Sequence, residues 1–103
     1  MSQLPDIKQN ELDMASKAVY TEMTALASYL DAHGTVLNHG LSTQISKYED
    51  ALLVFANLEK TYQDTHAMVN WNGRMTIIVS VMTAMGSFSR QIREATGYQF
   101  TKL

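Results

Sequence analysis

The chain reads as an all-α protein, a three-helix up-down-up bundle with long helices, open to completion by oligomerisation. Three observations predict this. Apolar residues recur at spacings of three and four along most of the 103 residues. No segment shows the strict apolar–polar alternation of a half-buried strand. Glycine-bearing breaks at His33-Gly34 and Asn72-Gly73 divide the sequence into three stretches, each long enough for several helical turns. A chain of this length suits one domain, so the expectation is a single helical domain over residues 1–103, with helices at about 6–32, 42–69 and 74–96.

The first helix is expected just after Pro5, a residue tolerated in the first turn because its missing N–H would have no partner there. Its apolar arc is built by Ile7, Leu12, Met14, Ala15, Ala18, Val19, Met23, Leu26, Tyr29 and Leu30. Gly34 supplies the left-handed cap that ends it. The connection from Thr35 to Leu41 contains Val36 and Leu37, and these predict a loop packed down on the end of the bundle. Ser42 or Thr43 can cap the second helix. That helix carries Ile45, Tyr48, Leu52, Phe55, Glu59, Tyr62, His66 and Val69 at alternating steps of three and four, the rhythm of helices packed side by side.

Asn70-Trp71-Asn72-Gly73-Arg74 reads as a tight turn, with Trp71 covering the ends of the second and third helices. The third helix should then stop at Gly97, with Arg90 and Arg93 near its C-terminal end, where positive charge suits the helix dipole. Within it, Met75, Ile77, Ile78, Val79, Val81, Met82, Ala84, Met85 and Phe88 occupy most of the circumference, and Thr76, Ser80, Thr83 and Ser87 form the narrow remainder. A helix apolar on most sides must be covered on most sides. The third helix is therefore expected either at the centre of the bundle or in contact with another chain. Tyr98 and Phe100 beyond it form an aromatic segment able to dock on the bundle or on a partner.

Composition narrows the function classes. Charged residues make up 17% of the chain, below the roughly 25% of an average domain, and favour crowded assembly. The net charge of -2 conceals an asymmetry, because residues 1–52 hold three lysines and seven acids while residues 53–103 hold five basic residues and three acids. Such polarity can pair helices within a monomer or subunits head to tail. Arg74, Arg90, Arg93 and Lys102 are too scattered for a basic patch, so nucleic acid is not the expected partner. The absence of cysteine excludes disulfides, thiolate metal sites and a cysteine nucleophile.

The apolar run at 75–88 is broken by threonine and serine and falls short of the roughly 18–20 residues of a membrane span. No basic region followed by an apolar run marks a secretory signal at the start. The expected protein is soluble, either cytoplasmic or exported without a cleaved leader.

Candidates for chemistry are few. Glu22 on the first helix and Glu59, Tyr62 and His66 on the second lie on apolar arcs, and they read as a buried polar layer fixing the register between helices. The Glu-x-x-His pairs of carboxylate-bridged metal bundles and the His-x-x-x-His spacing are both missing, so no metal site is expected. The nucleophile-elbow and phosphate-loop patterns are missing too. No catalytic residue and no cofactor are expected.

The favoured expectation is a non-catalytic interaction module or assembly subunit, a homo-oligomer or a binder of another protein. Association would run through Ile77, Val81, Ala84 and Phe88, with Thr76, Ser80, Thr83 and Ser87 letting another helix come close. Three alternatives stand beside it. They are a virus-, phage- or plasmid-encoded inhibitor that sequesters a host protein, a subunit of a secreted or filamentous helical assembly, and a small-molecule-binding bundle with Tyr48, Phe55 and Tyr62 around an apolar pocket.

Overall fold

The computed structural model describes the backbone over residues 9–66 and 71–100, and the side chains over residues 11–61 and 78–100. It is a three-helix bundle: α1 Gln9–His33, α2 His39–His66 and α3 Trp71–Thr96, with no strand among the described residues. The short connection from α1 to α2 turns the chain back on itself, and Tyr29 of α1 accordingly lies over Gly40 at the start of α2. Farther along, Glu11, Met14 and Ala18 face Val54 and Leu58. The α2–α3 pair is antiparallel as well, because Tyr48 near the start of α2 meets Ser89 near the end of α3. The bundle measures 54 × 21 × 20 Å, the proportions of helices lying side by side.

Local chemistry sets the helix ends. At the end of α1 Gly34 takes φ +82°, and its N–H donates to the Leu30 carbonyl at 2.7 Å. This left-handed closure satisfies a carbonyl that has no partner within the helix. Helix α2 starts at His39, three residues before the expected start. The cap is Asn38, whose Oδ1 accepts from the Leu41 N–H at 2.9 Å while its carbonyl accepts from the Ser42 N–H at 2.8 Å. Asparagine caps at least as well as serine, so the earlier residue takes the role expected of Ser42 or Thr43. Gly40 inside the first turn leaves room for the Tyr29 hydroxyl, which would meet a Cβ at that position.

Two expectations for the connections do not hold. Val36 is 75% exposed and Leu37 43% exposed, so the loop is not packed down and only Leu41, already in α2, is buried. The Asn72-Gly73 pair belongs to α3, which begins at Trp71. Helical propagation from the following apolar stretch overrides the turn preference of that dipeptide. The expected ends at residues 6 and 69 lie outside the described residues.

The core is assembled mainly between α1 and α2, whose contact is far more extensive than either contact of the described part of α3. Leu12, Ala15, Val19 and Leu26 of α1 meet Leu41, Ile45, Tyr48, Leu52 and Phe55 of α2, and Ile78, Val81 and Ile92 complete the cluster from α3. Ser16 sits among them without penalty because its hydroxyl donates to the Leu12 carbonyl at 2.9 Å. The apolar arc of α1 is narrower than its sequence suggests. Met14 is 66% exposed and Ala18 is also exposed, because the stripe Leu12–Ala15–Val19–Leu26 already fills the α2 face.

The same holds for α3. It buries Ile78, Val81 and Ile92, with Met85 and Phe88 half-buried on that side, a single stripe of one helical face. Val79 and Met82 stay outside. Over its described residues, α3 is a flanking helix laid on an α1–α2 hairpin and not a central one.

Candidate functional site

Two features stand out on this scaffold, the outward face of α3 and a polar–aromatic cluster where the segment after α3 returns to α2. The outward face is a helical stripe. Val79 and Met82 are 51% and 47% exposed, and Ser80, Thr83 and Gly86 are exposed beside them. A Cβ at Gly86 would meet nothing within 4 Å. That glycine therefore serves no close approach within the bundle, and the small residues leave a shallow, half-apolar strip.

The residues expected to form an interface divide between this strip and the core. Val81, expected to bury against another helix, is 1% exposed and committed to the bundle's own core. Phe88, expected in the same role, packs edge-on against Tyr48 with ring centroids 5.2 Å apart. The side of α3 that carries Val81 and Phe88 turns inward because the α1–α2 hairpin offers its open face there. Ala84 is half-buried. Ser80 and Thr83 are exposed, while Ser87 is half-buried and accepts from Gln91 Nε2 at 3.4 Å. The side chains of Thr76 and Ile77 lie outside the described residues. Among the described side chains of α3, the exposed large apolar ones are Val79 and Met82, which sequence periodicity could not separate from Val81.

The expected polar layer is described only in part. Glu22 and Glu59 are both half-buried, and Glu59 has its Oε2 shut off from solvent. The side chains of Tyr62 and His66 lie outside the described residues. Among the described residues, no three histidine, aspartate or glutamate side chains come together in a way that could hold a metal ion.

A different polar cluster lies among the described residues. Glu49 is wholly buried, and its Oε1 accepts from the Tyr98 hydroxyl at 3.1 Å. Next to it the wholly buried Tyr48 donates its hydroxyl to the Met85 carbonyl at 3.1 Å and lies 2.8 Å from Ser89 Oγ. Burial pushes the Tyr48 phenol above its ordinary value of 10.0, and the Ser89 hydrogen bond partly offsets this.

Phe100 meets Tyr48 at 6.3 Å and Tyr98 at 5.1 Å, both edge to face. What delivers Tyr98 and Phe100 is the break at Gly97, with φ +79° and its N–H on the Arg93 carbonyl at 2.8 Å. Sequence reasoning passed over Glu49 by following Tyr48 along the stripe. Its steps of four from Ile45 and three to Leu52 were the available signal.

An open groove of about 330 Å³ runs between α1 and α2, lined by Glu11, Met14, Ala15, Ala18, Val54 and Leu58. Tyr48 and Phe55, the expected lining of a ligand pocket, are instead wholly buried in the core. No helix among the described residues is long and apolar enough to cross a membrane.

The fold and its surfaces define the class of protein as an all-α three-helix bundle with one flanking helix. No protein-family model, no curated protein and no solved structure matches the chain.

Proposed function

We propose that this protein is a non-catalytic helical interaction module that associates with copies of itself through the outward face of α3. The observation that carries the reading is the pair Val79 and Met82, about half exposed on one helical stripe beside Ser80, Thr83 and the sterically open Gly86. Small and hydroxyl-bearing residues let a second helix approach closely, and the two large apolar side chains supply the driving force.

The magnitude limits the affinity. Covering two half-exposed apolar side chains contributes roughly 2–3 kcal/mol per subunit, against an association cost of at least about 4 kcal/mol. A symmetric pair would therefore be weak and concentration-dependent, the behaviour of an assembly subunit more than of an obligate dimer.

Light scattering behind a sizing column, over a hundredfold range of concentration, tests this. The wild-type mass should rise above the 11.6 kDa of one chain as concentration increases. The Val79→Asp/Met82→Asp variant should stay at the monomer mass with an unchanged helical circular dichroism spectrum. A wild-type mass fixed at one chain throughout would sink self-association. Equal association of the variant would place the interface elsewhere.

A further inference from the structure

We propose that the surface receiving the α3 strip is the groove between α1 and α2 of a second copy, so that copies associate head to tail. The inference rests on the reading of α3 as the associating face and adds the surface it meets, which fixes the kind of assembly.

Charge chooses the counterpart. Val79, Met82, Gly86, Arg90 and Arg93 follow one another along α3 at steps of three and four, so two exposed apolar side chains and two exposed arginines share one stripe. The one acidic residue from Trp71 to Thr96 is Glu94. Two α3 faces set against each other would bring Arg90 and Arg93 of both copies together with a single glutamate from each helix, and like charges across a contact disfavour it.

The groove offers the opposite charge beside apolar surface. Met14, Ala18, Val54 and Leu58 line it, and Met14 and Val54 are 66% and 54% exposed. Its α1 wall carries Glu11 in the lining. Glu22 follows on the same stripe, reached from Glu11 through Ala15 and Ala18 at steps of four, three and four. The lysine of this part of α1, Lys17, lies in a separate surface hollow with Tyr20 and Thr24. On the α2 wall the exposed Lys47 and Asp50, a turn or two before Val54, balance each other.

The spacings agree as well. Glu11 and Glu22 are eleven residues apart, as are Val79 and Arg90, about 16 Å along either helix. With an arginine at one of the glutamates, Val79 and Met82 lie over the apolar stretch between them. A contact between two different surfaces leaves a strip unused on one end copy and a groove on the other. It therefore adds copies beyond two, into a ring or an open stack.

The test mixes two full-length variants. Met14→Asp/Val54→Asp disables the groove and Val79→Asp/Met82→Asp the strip. All four side chains are about half exposed or more, so both variants should keep the native circular dichroism spectrum. In sedimentation velocity, each alone should stay monomeric at concentrations where the wild type associates. An equimolar mixture should form a one-to-one dimer and nothing larger, because one intact strip and one intact groove remain. A groove variant that associates like the wild type, beside a monomeric strip variant, overturns the head-to-tail contact and leaves the α3 face standing. A mixture that stays monomeric while the wild type associates overturns it too. A wild type that never associates removes the reading of α3 and this inference with it.

Should the groove variant lose its helical spectrum, charge reversal replaces it. Glu11→Arg/Glu22→Arg should weaken association at least about tenfold, and adding Arg90→Glu/Arg93→Glu to the same chain should restore it. Unchanged association after the first pair, or no recovery after the second, overturns the proposal.

Discussion

Replacing Tyr48 with phenylalanine removes one oxygen atom and leaves the ring, so it isolates the polar part of the α2–α3 contact. In the native bundle the hydroxyl donates to the Met85 carbonyl at 3.1 Å and lies 2.8 Å from Ser89 Oγ. Phe88 and Phe100 pack edge-on against the ring, with centroids 5.2 and 6.3 Å away, and phenylalanine keeps that ring, so this packing should survive the change. A hydrogen bond of this kind contributes about 1 kcal/mol net, and leaving a partner unsatisfied in a buried setting raises the loss toward 2 kcal/mol.

The expected loss at pH 7 is therefore about 1–2 kcal/mol, read by urea unfolding followed at 222 nm. The pH dependence then has a defined sign. Burial raises the Tyr48 phenol above 10.0 in the folded chain, so between the unfolded and folded values the folded state keeps a proton that the unfolded state has lost. The stability supplied by the neutral phenol is complete below about pH 10 and declines as pH climbs through the folded value, by up to about 1.4 kcal/mol per pH unit. The phenylalanine variant lacks this decline. The gap between wild type and Tyr48→Phe should consequently narrow from pH 7 to pH 11. A gap that stays constant, or widens, would refute the claim that the Tyr48 hydroxyl is buried as a neutral donor.

Two further substitutions probe the core and the glycines. Phe55 is wholly buried at the centre of α2, while its neighbour Val54 is 54% exposed. Phe55→Ala should cost about 3–5 kcal/mol in urea unfolding and Val54→Ala well under 1 kcal/mol, so similar losses would mean that α2 is rotated from the described orientation. Gly86 within α3 and Gly97 just beyond it should respond in opposite directions. Gly86→Ala enters open space in a helix and should stabilise by about 0.5–1 kcal/mol, whereas Gly97→Ala must adopt φ +79° and should destabilise by about 1 kcal/mol. Thermal unfolding of the two variants checks both signs in one experiment.

Part of this architecture is determined by local chemistry, and that part was legible along the chain. The number and type of elements follow from the recurrence of apolar residues at three and four. The stops at Gly34 and Gly97 follow from the glycine that a left-handed closure favours. The stripe Ile45, Tyr48, Leu52 and Phe55 was readable too, and all four side chains are buried. Local chemistry also carried the signal for Asn38, which competes with Ser42 for one role and takes it because it comes first and caps as well.

Tertiary structure decided what periodicity leaves degenerate. A helix with apolar residues on most sides does not say which of them face inward, because that depends on where its neighbours lie. The α1–α2 hairpin buries Val81 and leaves Val79 and Met82 in solvent, and it likewise buries Leu12 while exposing Met14. The candidate site shows the same limit more sharply. Glu49 and Tyr98 are 49 residues apart, and nothing local to either predicts the partner of the other. Only the closure of α3 onto α2, followed by the reversal at Gly97, brings phenol and carboxylate together. The sequence by itself determined three helices and the closures at Gly34 and Gly97, because those depend on neighbours within a few turns. The buried carboxylate, the docked aromatic segment and the exposed face of α3 depend on which surfaces remain after the helices have packed.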